Sequence, residues 1–167
     1  MTQKGREPVV IGWTELVELP DWGIRGLRAK VDTGARTSAL HVENIEELPR
    51  GWVRFDVVLH RLHRDRRIHV RARVKRRGHV RSSSGHQSPR LFVETTLRLG
   101  PVERRVEVSL VDRGKMIHRM LLGRAALQGL HVPVLIDVNH RHVLRARRKK
   151  KRKKVSGEPG AHRSPGS

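Results

Sequence analysis

Apolar and polar positions alternate along most of this chain in runs that are too short for anything but strands. The sharpest case is Leu27, Ala29 and Val31 set between Arg28 and Lys30, a pattern that predicts a strand with one buried face. Comparable runs predict strands over residues 9–11, 38–42, 53–59, 68–74, 91–99, 102–110, 120–122 and 134–138, with Gly, Pro or charged turns between them. The clearest hairpin joins 91–99 to 102–110 through Gly100-Pro101. The best short helix covers 124–128, with Gly129 as its stop. Many short strands at this spacing predict a mainly β fold, a closed or partly closed β-barrel with one short helix.

Composition supports that class. The 167 residues have room for one domain with a modest core, and with two Phe, three Trp and no Tyr that core must be Val, Leu and Ile. The absence of cysteine excludes disulfides, thiolate metal sites and cysteine nucleophiles, and it fits a reducing compartment. The first residues lack the apolar stretch of a signal peptide and no run reaches membrane length, so the expectation is a cytoplasmic protein with no membrane partner.

The formal charge of +21 is not spread evenly. Ten Lys or Arg lie from Arg145 onward against the single acid Glu158, and ten more lie between His60 and Arg81 against Asp65. The rest of the chain is close to balanced. The reading is therefore a flexible N-terminus at 1–8, a folded domain at 9–146 and a disordered basic tail at 147–167, where like charges repel and little is available to bury. Such a tail has weak, steeply salt-dependent affinity for nucleic acid and carries little sequence information.

The candidate chemistry begins where the strand over 27–31 ends. Asp32-Thr33-Gly34-Ala35 places one carboxylate on a tight turn, with Gly for the backbone reversal and a Thr hydroxyl able to tie the loop to a neighbour. A carboxylate so presented can serve as a general acid or base; an ordinary Asp-x-Gly turn is the competing reading. No His-Glu-x-x-His is present, and the close pairs His60/His63 and His140/His142 lack a third ligand at fixed spacing. There is no Gly-rich loop ending in Gly-Lys-Ser/Thr and no serine nucleophile elbow. The reading assigns no metal and no cofactor.

The block from Lys30 to His41, Lys-Val-Asp-Thr-Gly-Ala-Arg-Thr-Ser-Ala-Leu-His, closely resembles the signature of the bacterial family labelled ATP-dependent zinc proteases, whose domain is similar to retropepsins, the dimeric aspartic proteases of retroviruses. Ile11-Gly12-Trp13, Trp52-Val53-Arg54-Phe55-Asp56, Gly85-His86, Thr95 to Gly100 and Arg119 to Arg124 follow in the family's order, so the resemblance covers roughly residues 9–144. It implies a retropepsin-like barrel. Because the chain has one Asp-Thr-Gly, and neither Asp112 nor Asp137 repeats it, the resemblance implies a homodimer in which Asp32 meets Asp32 of a second subunit. Two such carboxylates share a proton, one activating water while the other is hydrogen-bonded to the scissile carbonyl.

The resemblance further implies that Asp32, Thr33 and Gly34 form the catalytic loop. Thr33 would lock the two loops together and Ala35 would leave room for substrate. Leu122 and Gly123, in Leu121-Leu122-Gly123-Arg124, would pack behind them ahead of the short helix. Ninety-one positions separate Asp32 from Gly123, more than a minimal viral subunit needs, and a mobile flap is expected within them. If Arg and His residues line that flap, acidic peptide segments are the natural substrates. Family members often lie beside ATP-grasp ligases that add amino acids to protein tails, which implies processing of such tails. The expectation is thus an aspartic endopeptidase acting on peptide or protein substrates. The alternatives are a non-catalytic β-barrel binding nucleic acid or ribosomes through its basic zones, and a zinc-dependent hydrolase.

Overall fold

The structure, a computed structural model, describes residues 6–112, 114 and 116–145. The expected basic tail at 147–167 and the first five residues of the expected flexible N-terminus lie outside the described residues. The strands are β1 (Val9–Gly12), β2 (Thr14–Leu19), β3 (Ile24–Val31), β4 (Ser38–Leu48), β5 (Trp52–Val58), β6 (Arg67–Arg73), β7 (Arg76–Arg81), β8 (Gln87–Leu99), β9 (Val102–Val111), β10 (Met120–Leu122) and β11 (Val134–Asp137). A four-residue helix, α1 (Arg124–Leu127), follows β10.

Six strands close a barrel in the order β10, β3, β2, β8, β9, β4, and the ring is sealed because β10 pairs with β4 as well as with β3. Closure removes the unpaired edges that an open sheet would expose. From this ring β5 extends β4, β6 extends β5, and β7 pairs with the outer half of β8. Strands β1 and β11 form a separate parallel ribbon. As the alternation of apolar positions predicts, the interior is filled by Val17, Leu27, Ala29, Leu40, Val93, Leu97, Val108 and Leu122, with Phe55 extending the core under β5. The Gly100-Pro101 hairpin forms as expected: Leu99 pairs with Val102, and Gly100 supplies φ +56° at the first loop position.

Two strands escape the sequence pattern. In β2, Thr14 and Glu15 are adjacent, polar and both buried, so no alternation marks the strand. Glu15 is tolerated because its Oε1 accepts the Gly12 N–H at 2.8 Å and the Leu144 N–H at 3.2 Å, which pins the chain around 144 to the barrel end. Strand β7, Arg-Arg-Gly-His-Val-Arg, has no apolar face, and none of its residues is fully buried. Among the described residues, no helix is long and apolar enough to cross a membrane.

Candidate active site

Strand β3 delivers the chain to Asp32, and β4 carries it away from Ser38. Between them lies β10, parallel to β3 with Leu122 beside Val31, and antiparallel to β4 with Met120 beside Leu40. The 32–35 loop therefore arches over the end of a third strand, and backbone bonds fasten it there. The Asp32 N–H donates to the Leu122 carbonyl at 2.9 Å, and the Ala35 N–H donates to the Asp32 carbonyl at 3.2 Å. Gly34 N–H donates to Asp32 Oδ1 at 3.1 Å, so the carboxylate is oriented by its own turn.

Gly123 stands where the packing is tightest. A Cβ there would lie 2.5 Å from the Thr37 carbonyl carbon, 2.6 Å from its oxygen and 2.8 Å from the Arg36 oxygen. Its φ of −77° is open to any residue, so close approach alone demands glycine. Just beyond it, Arg124 and Ala125 donate their N–H groups to the Ala35 and Arg36 carbonyls, both at 2.9 Å, so the start of α1 backs the loop.

Two contributors were not legible in the sequence. Ser38 Oγ, in a buried side chain, accepts the Gly123 N–H at 3.1 Å, and the Arg124 guanidinium donates to the Thr33 carbonyl at 2.7 Å. Each joins residues 85 or more positions apart, and only the alignment of β10 with β3 and β4 brings them together.

The loop lies at the surface. Asp32 and Ala35 are half-buried, whereas Thr33 and Gly34 are exposed; Leu122 is fully buried beneath them. Among the described residues, no second carboxylate is hydrogen-bonded to Asp32. Asp137 is instead held by the Asn139 N–H and by His140 Nδ1, at 2.9 and 2.7 Å, at the end of β11. Against α1, on the side that backs the loop, opens a cavity of about 530 Å³ whose walls include Arg36, Arg76, Arg104 and Arg105; Arg76 is paired with Glu107, and Arg105 with Asp21 and Glu94.

His41, which closes the matching block, lies apart from the loop. It is fully buried on β4, its N–H bonded to the Arg119 carbonyl. Burial lowers its pKa, as does the Arg119 charge, although Glu43 and Asp112 pull the other way. No group of three His, Asp or Glu side chains suited to a metal ion occurs among the described residues.

Residues 10–148 match the family model described as RimB-like, retropepsin-like aspartic endopeptidase RimB. The chain is also 37% identical over 150 residues to a probable alpha-L-glutamate ligase of Parasynechococcus marenigrum, covering 86% of this chain and 30% of that protein. It is 37% identical over 123 residues to one of Shewanella pealeana, covering 71% and 26%. The chain thus spans less than a third of the length of these curated relatives. A crystal structure of a Legionella pneumophila protein of unknown function shares the fold, with a TM-score of 0.66 at 25% identity, over 81% of this chain and 98% of that one.

Proposed function

The chain belongs to the RimB-like family of retropepsin-like aspartic endopeptidases, and from that premise we propose that it is an aspartic peptidase assembled as a two-fold homodimer, with Asp32 of each subunit forming the acid/base pair. The carrying observation is the single oriented carboxylate of the 32–35 loop, fastened over β10 with Thr33 and Gly34 exposed beside it. One aspartate at neutral pH is ionised and a poor proton shuttle; two within hydrogen-bonding distance share a proton and divide the roles of base and acid. The charged carboxylate takes the proton of the attacking water. The protonated one donates to the scissile carbonyl oxygen; as the C–N bond breaks, the carboxyl that took the water proton gives it to the leaving amine and the other recovers its own from the collapsing intermediate.

Exposed apolar side chains support association. Leu135 and Val138, on and just after β11, are 52% and 73% exposed, and Ile117 is 61% exposed. Thr33, exposed on the loop, is available to meet its counterpart across the two-fold. The substrate class we assign is acidic peptide, α-linked glutamate tails in particular. Arg36, directly after the loop, and Arg104 line the neighbouring cavity with no carboxylate partner among the described residues, and relatives of this chain are named for glutamate ligation. A peptidase of this kind would shorten what a ligase extends.

The test compares wild type with Asp32→Asn on an oligoglutamate peptide and on a mixed peptide library, with and without chelator. Cleavage by wild type alone, insensitive to chelator, is the expected result. Equal cleavage by both proteins refutes the aspartic mechanism, and activity lost only on chelation restores a zinc hydrolase.

A further inference from the structure

The β5–β6 hairpin stands outside the barrel ring and presents two very different faces. Val53, Phe55 and Val57 pair with Ala72, Val70 and Ile68 on the side that packs on the core. Alternation puts Trp52, Arg54 and Asp56 with Arg67, His69, Arg71 and Arg73 on the outer side. At one end of that outer face the charges are matched. Asp56 accepts from Arg67 at 3.2 Å and from His69 and Asn44, while Arg64 and Arg67 both reach Glu43.

At the other end they are not matched. Arg54 bonds to Glu46, but Arg71 and Arg73, both exposed, make no ion pair among the described residues. Their guanidinium carbons lie 4.6 and 4.9 Å from the centre of the Trp52 ring instead. Arg61 and Arg66, in the loop joining the two strands, likewise have no carboxylate partner among the described residues.

We propose that this outer face, centred on Trp52 between Arg71 and Arg73, binds single-stranded RNA. Residues two apart on a strand sit about 6.7 Å from one another, a repeat that suits successive phosphates of a stretched single strand. Base planes stack on indole or on guanidinium planes, and bases are free to do so only when they are unpaired. An exposed cation–π contact is weak enough for a base to take the place of one guanidinium, which then turns to a phosphate. An acidic peptide offers the same charge but no ring to stack, so the aromatic centre of the patch favours nucleic acid. The surface is separate from the Asp32 loop and independent of the proteolytic reading.

Fluorescence anisotropy of a labelled oligoadenylate of about 12 nucleotides, titrated with the full chain over a range of salt, tests the proposal. The Arg71→Gln/Arg73→Gln double variant should bind roughly ten-fold more weakly, and its salt dependence should be shallower by about 1.4 in log–log slope, 0.7 for each phosphate that is no longer neutralised. Trp52→Leu should weaken binding to a similar degree with the slope unchanged, and Asp32→Asn should bind as wild type does. Thermal denaturation checks that each variant is folded; the exposed Arg→Gln pair decides the matter if Trp52→Leu is not. Unaltered affinity and slope in the double variant would overturn the proposal. So would equal affinity for a duplex of the same length, or an equal loss of oligoglutamate affinity in the double variant.

Discussion

Gly123→Ala isolates the packing that holds the candidate active loop. The new Cβ would sit 2.5 Å from the Thr37 carbonyl carbon and 2.6 Å from its oxygen, where ordinary contact begins at 3.4 Å. The backbone of β4 or the start of α1 must therefore yield by about 0.9 Å, in a place where neither can rotate away as a side chain could. Overpacking of this kind costs about 1–3 kcal/mol. Misaligning the Gly123–Ser38 hydrogen bond adds about 1 kcal/mol, while the stiffer unfolded chain offsets about 0.5 kcal/mol of the total.

A net loss of about 1.5–3.5 kcal/mol follows, equivalent to a fall in Tm of about 3–14 °C for a domain of this size. Gly34→Ala is the matched control. Its Cβ would meet only Asp32 Oδ1 at 3.3 Å on an exposed turn, so its stability should stay within about 0.5 kcal/mol of wild type. Denaturant unfolding of both variants, with m-values compared, makes the measurement. A Gly123→Ala protein as stable as Gly34→Ala would refute the argument that close approach dictates glycine at 123.

Further outcomes can be checked alongside. Asp32→Asn should lower peptide cleavage at least about a hundred-fold in steady-state assays with an unchanged thermal transition, since the amide keeps the shape of the acid but cannot exchange its proton. Arg124→Met, which deletes the bond to the Thr33 carbonyl, should cost less than about 1 kcal/mol in denaturation while reducing kcat more than it raises KM. Burial, with Arg119 nearby, lowers the His41 pKa below its ordinary 6.5; the contribution of that group is therefore complete above pH 6.5 and is lost as the pH falls below it, because the unfolded chain takes up the proton first. Stability measured between about pH 7.5 and pH 5 should decline for wild type and decline less for His41→Gln. Deleting residues 146–167 should flatten the salt dependence of oligoadenylate binding while leaving the Arg71/Arg73 contribution intact, which anisotropy on the truncated chain would show.

Local pattern was enough to recognise β3, the Asp-Thr-Gly turn that follows it, the Gly100-Pro101 hairpin, and Met120–Leu122 leading into a short helix, because each records its burial and its turn chemistry within a few residues. It was not enough for β2 or β7: Glu15 is buried only because Gly12 and Leu144 supply its hydrogen bonds, and no residue of β7 is fully buried, so no apolar alternation marks it. Nor could alternation and spacing place β10 between β3 and β4; only the family resemblance implied that Leu122 and Gly123 pack behind the Asp32 loop. That insertion couples positions about ninety residues apart, turns Ser38 and Arg124 into supports of the Asp32 loop, and leaves no space for a Cβ at 123. Alternation tells a strand which side to bury, whereas its neighbour is chosen by the closure of the whole barrel, and that choice is made only when the chain folds.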